Sequence, residues 1–175
     1  QRGAEINKRN SDGSTALMFA ADNGNERVVE LLLQRGANVD LQSSDGHTAL
    51  LFAAGQGHEQ VGESLLQHGA EVNLQRSDGG TALMLAAHYN RPAVVRRLLR
   101  ASADTAARTA SGKTALQLAK EKGHAECVKV LAEAAAAADG RAGPGGASSG
   151  AAAAAMDAPL LGQRVVLGGL SSRPE

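Results

Sequence analysis

The 175-residue chain has no tryptophan, one tyrosine (Tyr89), two phenylalanines (Phe19 and Phe52) and one cysteine (Cys127). Aromatics so scarce leave Leu, Val and Ala to supply nearly all buried apolar surface, which suits thin, closely packed helical layers. A single thiol excludes an internal disulfide and fits a reducing compartment. No run of about 18 apolar residues occurs, so no membrane span is expected. The opening QRGAEINKRN lacks the apolar stretch of a signal peptide. A cytoplasmic location is the expectation, with the nucleus as the other reading. An excess of one charge is also lacking. Eighteen basic residues balance eighteen acidic ones, which removes the overall positive field expected of a nucleic-acid binder. Locally the balance fails: residues 1–75 carry five bases against ten acids, and residues 76–113 carry seven bases against Asp78 and Asp104. A stack polarised in this way would steer a charged partner.

What the sequence does have is a period. Gly13, Gly46, Gly79 and Gly112 stand 33 residues apart, each two residues before Thr15, Thr48, Thr81 and Thr114. The strings that follow are TALMFAA, TALLFAA, TALMLAA and TALQLAK. A second comb, Gly24, Gly57, Asn90 and Gly123, keeps the same register, as does a third, Gly3, Gly36, Gly69 and Ser102. Within each period the Thr hydroxyl can cap a helix whose small alanines allow close approach of neighbouring layers. Gly24 ends that helix in a left-handed turn, a conformation Asn90 also tolerates. A second helix follows, with Val28, Val29, Leu31 and Leu32 as its expected buried stripe, and Gly36 stops it. Each unit therefore reads as helix, turn, helix and projecting loop.

This pattern resembles the ankyrin repeat over residues 1–138. It comprises the closing part of one repeat (1–11), full repeats from 12, 45 and 78, and a terminal repeat from 111. The resemblance implies an all-α solenoid. The Pro of the family's T-P-L-H-x-A signature is Ala16, Ala49, Ala82 and Ala115 here, and its His is Met18, Leu51, Met84 and Gln117, which implies somewhat less rigid loops. Two places look weak. Gly62 and Ser64 replace the equivalents of Val29 and Leu31, and Ser102, Thr105 and Ala106 remove the usual turn residues before the last repeat. Fraying is therefore expected at the C-terminal repeat.

A chain that opens inside a repeat reads as a fragment of a larger ankyrin-repeat protein. Residues 139–158 are low in complexity and in apolar bulk and read as a disordered linker. The last stretch, 159–175, contains LLGQRVVLGGLSSRPE, which resembles the opening strand of a small β module found beside ankyrin repeats. On that reading the module is truncated.

No residue pattern points to catalysis, a cofactor or a metal. His58 and His124 share one repeat position, two layers apart, and read as local hydrogen-bonding residues. His47, His68 and His88 fall at three other offsets. Cys127 aligns with Val28, Val61 and Val94 and reads as a small core residue. Asp12, Asp45 and Asp78 form one acidic step per loop, too far apart for paired carboxylates. Arg91, Arg96, Arg97 and Arg100 crowd the second helix of the third repeat and read as a solvated outer face, with an acidic protein partner as the alternative.

The chain is thus expected to be a non-enzymatic, monomeric module that binds a protein on the concave face of the stack. No nucleic acid or membrane partner is expected. The alternative is a targeting or regulatory segment of an enzyme whose catalytic domain lies outside the chain. Offsets free of folding constraints mark the contact residues: Asp22, Asn23, His47, Gln56, His88 and Tyr89, with Tyr89 as the first choice of anchor. For the linker, the expected outcome of amide exchange is rapid loss of label across 142–155 beside slow exchange at Val28–Leu32. Equal protection would refute the linker assignment.

Overall fold

A computed structural model of the chain describes residues 5–141. These residues form eight helices in four pairs: α1 (Ala16–Asp22) with α2 (Glu26–Gln34), α3 (Ala49–Gln56) with α4 (Glu59–Gln67), α5 (Ala82–His88) with α6 (Pro92–Arg100), and α7 (Ala115–Lys122) with α8 (Ala125–Arg141). The chain divides into two units at Ala135/Ala136. α8 continues to Arg141, three residues past the boundary expected at 138. Residues 142–158 of the expected linker and 159–175 of the expected β module lie outside the described residues.

Each inner helix begins where the sequence places a threonine. Thr15, Thr48, Thr81 and Thr114 are extended, and their hydroxyls accept from the amides of Met18, Leu51, Met84 and Gln117. Such a bond satisfies one of the amides that a helix start leaves without a partner. Gln117 completes a capping box by accepting from the Thr114 amide at 2.9 Å. Asn90, at a φ of 56°, takes the left-handed conformation that Gly24, Gly57 and Gly123 adopt in the other repeats at 69°, 87° and 72°.

Inner helices stack directly on one another, α1 on α3, α3 on α5 and α5 on α7. Their contact surfaces are alanines: Ala20, Ala21, Ala53, Ala54, Ala86 and Ala87 are all buried. The outer helices pack alongside, and here the expected stripe of α2 needs correction. Val29 and Leu33 are buried, Leu32 is half-buried, and Val28 and Leu31 are 46% and 48% exposed. The reason lies in the direction of those positions. Val61, Val94 and Cys127, the equivalents of Val28, are buried, and Cys127 Sγ points back to Asn90 of the preceding repeat at 3.7 Å. α2 has no preceding outer helix among the described residues, so Val28 and Leu31 meet nothing there.

The loops are stitched as regularly as the helices. Ser44, Ser77 and Ala110 donate their amides to the carbonyls of Asp12, Asp45 and Asp78, one repeat earlier. At Gly46 the approach is so close that a Cβ would sit 2.8 Å from Arg76 Cα, and φ is 82°, so both space and conformation require glycine. Lower in the loops, the side chains of Asn7, Asp40 and Asn73 accept the amides of Asn38, Glu71 and Asp104. The loop before the last repeat keeps its turn in spite of its unusual residues. Asp104 accepts from the Ala106 amide at 2.8 Å, and Ser102 takes the left-handed φ of 64°.

On the outer side, Arg96 and Arg97 of α6 are not merely solvated. Arg97 pairs with Glu59 at 2.7 Å and with Glu63, both on α4, while Arg96 pairs with Glu126 on α8. The two arginines therefore tie the third layer to both neighbours.

Two substitutions should stabilise the stack. Gly62 is a buried helical position occupied by fully buried Val29 and Val95 in neighbouring repeats, and a Cβ there meets nothing within 4 Å. Gly62→Val is expected to add about 1–2 kcal/mol through helix propensity and burial. Ser64 is half-buried beside the open groove at Val28 and Leu31, so Ser64→Leu contributes the smaller share. Ser102→Gly relieves the left-handed backbone and should add about 0.5–1 kcal/mol after glycine's unfolded-state entropy is counted. Urea titration of each variant checks both, and a lowered midpoint would contradict the assigned helix orientation or turn.

Candidate functional site

Loop tips and inner-helix ends of the first three repeats surround a concavity of about 290 Å³. Its lining joins Asp22, His47, Phe52, Gln56, Arg76 and Tyr89 around Gly55, with Leu51, Leu85 and Arg91 completing the wall. The hollow exists because Gly55, on α3, has no side chain. Its φ lies outside the left-handed range, so its backbone does not demand glycine, and a Cβ there would come within 3.7 Å of the Tyr89 ring. Tyr89 thus leans across the glycine while remaining 54% exposed. His47, half-buried just before the Thr48 cap, stacks on Phe52 with centroids 4.9 Å apart and planes at 21°. One wall is therefore aromatic, and the concavity lies at the small end of the range of ligand clefts.

Charged groups border the apolar wall. The Asp22 carboxylate accepts from Gln56 Nε2 at 2.9 Å. Arg76 pairs with Asp78 and places Nη1 3.3 Å from His47 Nε2. A guanidinium only donates, so this contact requires a neutral His47 that accepts at Nε2. Gly80 makes the Arg76–Asp78 pair possible, because a Cβ at Gly80 would lie 2.9 Å from Arg76 Nε and 3.0 Å from Asp78 Oδ1. Arg91 Nε donates to the Gly55 carbonyl at 3.2 Å. The same bond recurs at the same repeat offset, where His58 and His124 bond the carbonyls of Asp22 and His88 at 3.0 and 2.9 Å. Arg91 is thus an interlayer brace, and the two histidines are hydrogen-bonding residues as expected, though their bonds join adjacent layers and are not local.

Four of the six expected contact residues, Asp22, His47, Gln56 and Tyr89, meet in this hollow. Asn23 does not line it; its side chain donates to the Phe19 carbonyl at 2.8 Å at the end of α1. His88 sits behind Tyr89 in an edge-on contact, centroids 4.8 Å apart. Sequence reasoning missed Phe52 and Arg76. Phe52 was absorbed into the apolar TALLFAA string. Arg76 did carry a signal: its repeat position is Asn10, Ser43 and Thr109 elsewhere, and each of those side chains accepts the amide four residues on. An arginine cannot accept that bond. Asp78 replaces it by accepting from the Gly80 amide at 3.0 Å, which leaves Arg76 free to reach His47.

Two histidines here titrate below the ordinary value near 6.5. Burial holds His47 down first and the Arg76 charge second, against the opposing carboxylates of Asp45, Asp78 and Asp22. For His88 burial again leads, followed by Lys122, His124 and Arg76. A folded-state value below the unfolded one favours the neutral ring in the fold. The associated stability is therefore fully present above about pH 6.5 and is lost as pH falls through the lowered folded values. Unfolding free energy should decline from pH 7 to pH 5, and His47→Gln should decline less. Identical pH profiles for the two proteins would mean that His47 is not held neutral.

The family model described as ankyrin repeats (3 copies) matches residues 2–76 and 64–141. No curated protein matches the chain. Among the described residues no helix is long and apolar enough to cross a membrane. The ankyrin fold is typically non-catalytic, and its repeats are generally protein–protein interaction modules. The 33-residue period, the stacked helix pairs and the matched span agree, and the chain belongs to the ankyrin-repeat family.

Proposed function

We propose that this chain works as a monomeric scaffold that holds a protein partner on the concave side of its ankyrin stack, centred on the hollow between the second and third repeats. The observation that carries the reading is the pairing of Gly55 with Tyr89. A helix gives up roughly 1 kcal/mol of propensity for a glycine its backbone does not need, and the space left open is lined by Phe52, His47 and an exposed tyrosine ring. Tyrosine beside a pocket is the arrangement that concentrates binding energy at protein interfaces. The basic outer helix is the weaker choice, since Arg96 and Arg97 are engaged with Glu126, Glu59 and Glu63. The same groove would serve a chain that targets an attached enzyme, because recognition is the task in both cases.

Substitution in the groove should separate folding from binding. His47, Gln56, His88 and Tyr89 changed to Ala should each alter stability within about 0.5 kcal/mol, with the His47 change read at pH 7. Capture of the partner, followed by pull-down and mass spectrometry, should fall most for Tyr89→Ala, by about 2 kcal/mol or more of binding energy. Gly55→Leu should fill the hollow, raise helix propensity and abolish capture without lowering the melting temperature. If Arg96→Ala with Arg97→Ala removes the partner while the groove variants retain it, the array works through its outer side instead.

A further inference from the structure

The groove carries more than a hollow, because its charges are sorted along the stack. On the side of the first two repeats stand Asp12, Asp22 and Asp45, none of which forms an ion pair among the described residues. On the side of the last two repeats stand Arg91, which lines the hollow, and Lys122, which occupies the offset of Tyr89 one repeat later. Neither of these cations is ion-paired among the described residues. Of the other groove charges, Arg76 pairs with Asp78 and Lys113 with Glu121 at 2.7 Å, while Arg9 on the first loop is taken up by the backbone carbonyls of Gly13 and Gln42, which leaves the end at Asp12, Asp22 and Asp45 acidic in sum.

Resting on the concave-face reading, we infer that the groove selects an extended peptide segment of a particular pattern: a large apolar side chain in the Gly55–Tyr89 hollow, a basic residue toward Asp22 and Asp45, and an acidic residue toward Arg91 and Lys122. Phe52, Leu85 and Tyr89 present a side chain entering the hollow with apolar surface. A nucleic acid would meet repulsion from the Asp12, Asp22 and Asp45 end of the groove. Adjacent layers lie roughly 8–10 Å apart, and an extended chain advances about 3.3 Å per residue. The charged residues of the ligand therefore belong about three positions from the apolar one, on opposite sides. Since an extended chain can run in either direction, the opposition of charge about the apolar residue matters and the order in sequence does not.

The test uses four fluorescein-labelled nine-residue peptides on Gly/Ser spacers, titrated into the full chain at low salt by fluorescence anisotropy. One carries lysine, leucine and glutamate three positions apart. The others replace the lysine by glutamate, the glutamate by lysine, or the leucine by serine. The mixed peptide should bind at least fivefold more tightly than each of the other three, and 0.5 M salt should remove the advantage over the two like-charged peptides. Asp22→Lys combined with Asp45→Lys, checked for an unchanged melting curve, should reverse the preference so that the two-glutamate peptide binds best. Equal binding of mixed and like-charged peptides, or an unchanged preference in the double variant, overturns the inference. So does the absence of binding by any peptide. In that last case the concave-face reading still stands if Tyr89→Ala releases the pulled-down partner, and it falls as well if the partner is retained.

Discussion

Close stacking of the inner helices is the constraint from which the rest of the molecule follows. Ala20 and Ala21, Ala53 and Ala54, and Ala86 and Ala87 are buried at the contacts, and larger side chains there would force the layers apart. Layers at that spacing bring the loops close enough for direct backbone hydrogen bonds between tips. They also bury the capping threonines Thr15, Thr48 and Thr81 to 2% exposure. A buried hydroxyl needs a partner, and the helix-start amide supplies it. Capping, loop register and helix spacing are therefore one arrangement repeated, in which stability accumulates from unit to neighbouring unit.

Regular spacing also decides which charges remain available. Side chains at one offset recur along a line, so a charge can reach side chains near that offset in an adjacent layer. Arg97 does so to Glu59 and Glu63, and Arg96 to Glu126. Exposed bridges of this kind are screened by salt and hold little energy individually, yet they remove the outer arginines from the pool that could meet a partner. Groove charges at Asp22, Asp45, Arg91 and Lys122 are not used in this way. For two of them the neighbours along the line are of another chemical type, since Gly55 and His88 follow Asp22 and Tyr89 precedes Lys122, while Asp45 stands between Asp12 and Asp78 of its own charge.

The fold was legible because a period of 33 residues constrains every turn and cap at once. Asn90 in a left-handed turn and the threonine caps could be read from single positions. The stripe of α2 was not legible in full, since burial of Val28 and Leu31 depends on a neighbouring layer and not on helical spacing. The solvated outer face of α6 was legible but the ion pairs of Arg96 and Arg97 on it were not, for a related reason: their partners lie 30 to 38 residues away in sequence. Of the groove, the residues at variable offsets were legible as variable. What they meet was not, because His47 finds Phe52 and Arg76 through the stacking of loop on helix.

A stack of identical layers would repeat any hollow at every interface. The hollow at Gly55 arises because several departures from the repeat fall at one interface together. Gly55 stands where other repeats have Asp22, His88 and Glu121, Arg76 where they have Asn, Ser or Thr, and Tyr89 where they have Asn23, Gln56 and Lys122. Arg76 needs the space at Gly80 and the amide bond that Asp78 takes over, and the Tyr89 ring lies over Gly55, where a Cβ would meet it at an ordinary contact distance of 3.7 Å. Departures that merely drifted would scatter across the array, each tolerated alone. Gathered at a single interface, the departures here give it an exposed tyrosine, an aromatic wall and charges of opposite sign at its two ends.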